Sequence, residues 1–195
     1  MPLDQYIIEG AKTDEKKLLI SVLLINLSFF IIELIAGFIA NSMGLVADSL
    51  DMLADTFVYG LSFYAIGGTL IMKKKIAKTS GYFQLALAIF GLLEVIRRFL
   101  GVDDLPSFQT MIIISLFALI GNSVSLYLLQ KSKSEEAHMR ASMIFTSNDV
   151  IANIGVVFAG VVVKITDSNI PDLVIGTLVF FLVALGSFRI MKLAK

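Results

Sequence analysis

The chain of 195 residues has no cysteine and no tryptophan, a single histidine, three prolines and only 16% charged residues. The absence of cysteine excludes disulfide bonds and thiolate metal sites. Soluble domains carry roughly 25% charged and 45–50% apolar residues, whereas 57% of this chain is hydrophobic, with a mean hydropathy of +0.87. The shortage of charge therefore excludes an ordinary soluble domain and leaves room for little besides membrane spans.

Six apolar runs are each long enough for the roughly 20 residues that a membrane span requires. They cover about residues 17–40, 44–71, 81–100, 110–130, 139–163 and 173–193. The first run is too long for the apolar part of a signal peptide, and no small-residue cleavage site follows it. The sequence predicts an all-α integral membrane bundle of six transmembrane helices, a single domain over residues 1–195 with residues 1–16 as a cytoplasmic segment.

The basic residues predict how this bundle is oriented. Thirteen of the sixteen Lys and Arg residues precede span one, follow span six, or lie between spans two and three or spans four and five. The other side has Arg97, Arg98 and Lys164, together with the acids Asp103, Asp104, Asp167 and Asp172. Cytoplasmic loops carry an excess of Lys and Arg. We therefore expect both termini in the cytoplasm and the protein in the plasma membrane.

Several carboxylates interrupt the apolar runs, and an ionisable residue inside a membrane is by default a candidate functional residue. Arg97 and Arg98 lie one helical turn from Glu94 and can pair with it. No basic residue lies at mid-membrane depth beside the other acids, which must therefore be protonated or hold a cation. These acids are Glu33 in span one, Asp48, Asp51 and Asp55 in span two, and Asp149 in span five.

Three of these carboxylates are predicted to converge. Asp51 and Asp55 are four residues apart and share one helix face. Asp55 lies about 16 Å from Gly44 at the outer end of span two, and Asp149 lies about 15 Å from Met139 at the inner end of span five, at 1.5 Å per residue. Both depths are close to the midplane of a core about 30 Å thick.

Carboxylate oxygens without sulfur suit a hard divalent cation. We therefore predict a metal site formed by Asp51, Asp55 and Asp149, with hydrogen bonding between helices as the alternative role for these residues. For Glu33 and Asp48 a structural role is an equal alternative: Glu33 can meet polar residues of neighbouring helices, and Asp48 lies near the outer end, where it can cap or be hydrated. His138 lies in a polar loop, where we expect it to be solvated.

Two stretches resemble signatures of a known family. The stretch from Asn41 to Asp55, NSMGLVADSLDMLAD, resembles the second-helix signature of the cation diffusion facilitators, which are proton-coupled exporters of divalent metal ions. The stretch RASMIFTSND, ending at Asp149, resembles their fifth-helix signature. The resemblance implies that Asp51, Asp55 and Asp149 are three of four ligands of an intramembrane transport site. The family's usual fourth ligand, His or Asp, is replaced here by Phe145.

The resemblance implies a secondary transporter, not an enzyme, that exports divalent cations of the zinc, manganese and iron class by proton antiport. Metal binding and protonation compete for the same carboxylate lone pairs, so the same residues can bind both. The implied partners are the metal ion, protons, the lipid bilayer and a second copy of the chain as a homodimer, with no resident cofactor and no nucleic acid. We expect a short form without the family's C-terminal cytoplasmic domain and without a histidine-rich loop between spans four and five.

Two alternatives remain open. A degenerate relative would bind metal without transporting it, as a sensor or partner subunit, and the loss of a ligand at Phe145 fits that role. An aspartate-dependent membrane enzyme, such as an intramembrane protease or a head-group transferase, is the other. The spans lack the paired Tyr-Asp and Gly-x-Gly-Asp motifs of the former and the Asp-Gly-x-x-Ala-Arg stretch of the latter.

Overall fold

The computed structural model describes residues 3–64, 69–101, 104–133 and 137–193, without the side chains of residues 3–16, 58–59, 61–64, 70, 72–73, 76–77, 137–141 and 193. Over the described ranges the chain forms six α-helices and no strand. They are α1 (Leu3–Ile39), α2 (Met43–Tyr64), α3 (Leu70–Leu100), α4 (Phe108–Lys131), α5 (Ala137–Thr166) and α6 (Ile170–Leu193). The predicted all-α fold is confirmed.

The surface of the bundle is apolar and its interior is partly polar. Phe38, Phe90 and Phe158 are 62%, 72% and 69% exposed, whereas Glu33 and Asp149 are fully buried. Such a distribution reverses that of soluble proteins, whose charged residues are almost never fully buried unless paired. Four described helical stretches are also long and apolar enough to cross a membrane: Lys17–Ile39, Phe108–Lys131, Ser142–Thr166 and Ile170–Lys192.

The helices run alternately up and down, and the contacts at one end show this directly. The Ser107 N–H donates to the Ala40 carbonyl (2.9 Å), which joins the start of α4 to the end of α1. Asp172, at the start of α6, accepts hydrogen bonds from the first turn of α2. We call this the Asp172 end. The opposite end, the lysine end, carries Lys17, Lys74, Lys75, Lys78, Lys131, Lys133, Arg189 and Lys192.

The helix boundaries differ from the expected spans around the basic segment. Helix α3 begins at Leu70, so Lys74, Lys75 and Lys78 lie in its first turns and not in a connection. Lysine is a good helix former, and its long stem lets the ammonium group reach water from the end of a helix. Helix α1 likewise extends back to Leu3, through the predicted cytoplasmic segment.

Some features of the predicted connections lie outside the described residues. Residues 65–68 and 134–136 are among these, so the polar loop before α5 is not described in full, and neither is the His138 side chain.

Two apolar layers enclose the polar middle of the bundle. The lysine-end layer consists of Leu19, Val22 and Leu129, with Leu18 and Met143 packed against it. The Asp172-end layer contains Ala40, Leu45, Met111, Val156, Ala159 and Val163. Between the two layers, α1, α2, α4 and α5 contribute buried polar side chains.

Candidate metal centre

The intramembrane acids lie on the inward faces of three helices. Glu33 on α1, Asp48 and Asp55 on α2, and Asp149 on α5 are each at most 2% exposed, and Asp51 is partly buried. On α5 the buried positions Ser142, Thr146, Asp149 and Asn153 recur every three or four residues, the spacing of a single helix face. The periodicity of α5 therefore directs Asp149 into the interior.

The three predicted metal ligands are electrostatic neighbours. Asp51 and Asp149 both lie close enough to Asp55 that negative charges on them would repel its carboxylate, and the same holds between Asp51 and Asp149. In the described part of the chain, however, no three His, Asp or Glu side chains are spaced to hold one metal ion together. The fold brings Asp51, Asp55 and Asp149 into one region, but their carboxylates are not close enough together to bind one metal ion.

Glu33 and Asp48 form a second feature of this region. Their carboxyl groups face each other within reach of a hydrogen bond, across the contact between α1 and α2. Among the described residues, none of their four oxygens has a donor. A proton on one carboxyl group is what would allow a hydrogen bond between them, because two carboxylates offer only acceptors. Asp48 is 0% exposed and neither of its oxygens accepts a hydrogen bond from a described residue, so it does not cap a described helix.

Besides the neighbouring carboxyl groups, Asp149 has two amide side chains close to it. Asn26 on α1 places its Nδ2 3.5 Å from Asp149 Oδ2, and the other carboxylate oxygen has no described partner. Asn153 donates to the Asp149 backbone carbonyl at 2.7 Å and keeps its own Oδ1 unpartnered within the described residues. Phe145, one turn away, is partly buried. The amide oxygens of Asn26 and Asn153 are thus available beside Asp149 as ligands for a metal ion. Phe145, which replaces the family's usual His or Asp, offers none.

Arg97 and Arg98 bind groups other than the buried carboxylates. Arg97 and Arg98 both bind Glu94, at 2.8 and 3.0 Å, which confirms the pairing expected from their spacing. Arg98 also donates to the Asn41 carbonyl at 2.8 Å. Over the described part of the chain, no Lys or Arg contacts the buried carboxylates of Glu33, Asp48 or Asp149.

Asp172 is a structural acid that the sequence analysis did not single out. Its carboxylate accepts from the Ser42 hydroxyl (2.7 Å) and from the N–H groups of Met43 (2.6 Å) and Gly44 (3.0 Å). The Ser42 oxygen in turn accepts from the Leu45 N–H at 3.2 Å, so Ser42 is the N-cap of α2. An anion at a helix N-terminus is favourable. In the sequence, the Asn41-Ser42 turn marks the start of α2, and it was the feature that could have indicated an acidic partner there.

The comparison with protein families fits this arrangement of helices and acids. Residues 19–194 match the family model of the cation efflux transmembrane domain. The chain belongs to the cation efflux family. The predicted resemblance is confirmed over all six helices, and the family assignment makes the chain a multi-pass membrane transporter of divalent cations. A comparison with curated protein sequences found no match.

Proposed function

We propose that this cation efflux protein exports divalent metal ions of the zinc, manganese and iron class in exchange for protons, at a site formed by Asp51, Asp55 and Asp149. The observation that carries the proposal is the burial of acids from two helices, α2 and α5, in one region where no described base contacts them. Unpaired charges inside a membrane are too costly to be kept without a role.

The same carboxylates serve both the ion and the proton. A metal ion binds the deprotonated oxygens of Asp51, Asp55 and Asp149. Its positive charge attracts all three carboxylates and offsets the repulsion between them. We therefore expect Asp51, Asp55 and Asp149 to draw together when an ion enters. Protons compete for the same lone pairs, so a proton-rich side promotes release of the metal. Alternating exposure of the site to the two sides then couples the two fluxes.

The donors around these three carboxylates favour an ion that accepts oxygen ligands. Phe145 supplies no lone pair, whereas Asn153 Oδ1 is buried beside Asp149 without a described partner. Zinc prefers four-coordinate sites with nitrogen and sulfur ligands, and carboxylate, carbonyl and water oxygens suit manganese better. We propose manganese or ferrous iron as better substrates than zinc.

The orientation of the bundle in the membrane follows from the distribution of charge between its two ends. The lysine end carries Lys17, Lys131 and Lys192 among others, and the Asp172 end carries Asp104, Asp167 and Asp172. An excess of basic residues marks the cytoplasmic side, so we propose that the lysine end faces the cytoplasm. A reporter fused after Lys195 should then report cytoplasm, and a cysteine introduced at Ser107 should be labelled from outside.

The test is metal flux into liposomes that contain the purified protein, with and without a pH gradient. We expect manganese flux that the gradient accelerates and that falls to the level of empty liposomes in Asp149→Asn. Asp104→Asn is the matched control, since it removes an exposed carboxylate at the Asp172 end. Full flux in Asp149→Asn would refute the proposal that Asp51, Asp55 and Asp149 share one metal site. Metal binding without flux in the unmodified protein would instead favour the non-transporting sensor or subunit.

A further inference from the structure

Two classes of hydroxyl group are informative in this bundle. In the first class, seven hydroxyls bond to a carbonyl three or four residues earlier: Ser28 to Leu24 (2.8 Å) on α1, Ser49 to Val46 (2.7 Å) on α2, and, in the same way, Ser21, Ser132, Thr166, Thr177 and Ser187. This local bond is open to any Ser or Thr in a helix. The second class is buried and has no partner among the described residues: Thr56, Ser115, Ser125, Ser142 and Thr146.

The second class is concentrated on the facing sides of α4 and α5. Gly160 packs against Met111, and counting eleven residues from each along these antiparallel helices reaches Asp149 and Asn122. Asn122 therefore lies level with Asp149, and Ser125 and Thr146 lie one turn closer to the lysine end. All three are 0% exposed, and neither polar atom of the Asn122 side chain has a partner among the described residues.

Helix α1 adds an amide to the same place. Phe29 packs against Gly121, which brings Asn26, one turn nearer the lysine end, level with Ser125. Asn26 directs its Nδ2 toward Asp149 and has its Oδ1 unpartnered within the described residues. The lysine-end layer of Leu19, Val22 and Leu129 follows immediately on the other side. The uncharged polar groups thus lie between that layer and the carboxylates.

Leaving such groups unpaired is unfavourable, since each buried donor or acceptor without a partner costs about 1–3 kcal/mol. Helix packing alone does not require this cost, because the local bond to the preceding carbonyl is used at seven other positions in the same bundle. Neutral amide and hydroxyl oxygens can replace part of the water shell of a hard divalent cation. They bind it more weakly than carboxylates do, because they carry no charge.

We propose that Asn26, Asn122, Ser125 and Thr146 form a loading station for a partly hydrated divalent cation between the lysine-end layer and the carboxylate site. The station rests on the proposed function, because it delivers the ion to Asp149. It exchanges some of the ion's water for neutral oxygens before the carboxylates bind the ion fully. A neutral station lowers the cost of bringing the ion through the apolar layer without trapping it.

The test uses manganese flux in liposomes and the isosteric change Thr146→Val, which removes the hydroxyl and keeps the shape. We expect the KM for manganese entering from the lysine end to rise about fivefold, as for the loss of one hydrogen-bonding group, with an unchanged maximal rate. Thr146→Ser restores the hydroxyl and should restore the KM. Thr177→Val is the control, because it removes a hydroxyl already bonded to Leu173. Ser125→Ala provides a second, independent variant.

Thermal unfolding distinguishes the station from a structural role. Replacing an unpaired buried hydroxyl with a methyl group should leave the melting temperature unchanged or raise it, whereas loss of a contact that holds helices together would lower it. The proposal is overturned if Thr146→Val and Ser125→Ala both keep the original KM, or if both lower the melting temperature and Thr146→Ser restores it. Flux that survives in Asp149→Asn would instead refute the proposed function, whatever the KM values are.

Discussion

Two buried aspartates of this protein, Asp172 and Asp149, have opposite surroundings. Asp172 accepts three hydrogen bonds of 2.6–3.0 Å from Ser42 and the first turn of α2. Asp149 has one long contact of 3.5 Å to Asn26, and its second oxygen has no partner among the described residues. A carboxylate that stabilises the fold has its donors built into the protein, whereas one that exchanges ions must leave its lone pairs available.

The largest effects should come from removing the charge of either aspartate by mutation. Asp149→Asn removes the charge and should abolish transport while the protein stays folded, because few interactions in the protein depend on that charge. Asp172→Asn places an amide N–H against donors of α2 and should cost about 3 kcal/mol of stability, as for loss of hydrogen bonds to a charged group. Flux and thermal unfolding of both variants are the measurements.

The comparison fails if the two variants behave alike. An Asp149→Asn protein that unfolds many degrees earlier would show that Asp149 holds the bundle together. An Asp172→Asn protein with normal stability and no flux would place Asp172 on the ion pathway.

The fourth ligand position offers the next largest effect. Phe145 lies one turn before Asp149 and is partly buried, so a histidine there can add a nitrogen donor to the site. We expect Phe145→His to shift the preference from manganese toward zinc, measured as competition between the two ions for flux. Phe145→Leu is the control for loss of the ring. An unchanged order of preference in a folded Phe145→His protein would mean that Phe145 does not face the site.

Substitutions in the Glu33 and Asp48 pair should reduce flux less than Asp149→Asn does. Glu33→Gln supplies a permanent N–H donor to Asp48 in nearly the same shape, so we expect unchanged or increased thermal stability. Flux should fall less than in Asp149→Asn, and Asp48→Asn should behave in the same way. Abolished flux in a stable Glu33→Gln protein would instead make the pair an essential part of the ion site.

The last prediction concerns stability alone and the close packing that supports the Asp172 contact. A Cβ at Gly176 would lie 3.0 Å from the Met43 carbonyl carbon and oxygen, which are backbone atoms and cannot yield easily. Gly176→Ala should therefore destabilise the protein by about 1–3 kcal/mol. Gly60→Ala is the control, because none of the described atoms lies within 4 Å of a Cβ at that position, and it should stabilise α2 by about 1 kcal/mol. Equal melting temperatures for the two variants would contradict this packing.

The sequence predicts those features that depend on local patterns. Apolar runs predict the six helices, and the spacing of Glu94, Arg97 and Arg98 predicts their ion pairs. The Asp172 contact to Ser42 joins residues 130 positions apart. Such a contact depends on how the helices pack, and no local pattern encodes it. The facing of Glu33 and Asp48 was missed for the same reason.

The bond between Asp172 and the first turn of α2 also has a mechanical consequence. It couples α2, which carries Asp51 and Asp55, to α6, while Asp149 belongs to α5, whose most extensive packing is with α4. The three carboxylates are therefore divided between two groups of helices, α2 with α6 and α5 with α4. An ion held by all three would act as a removable crosslink between these two groups, and its replacement by protons would free them to separate.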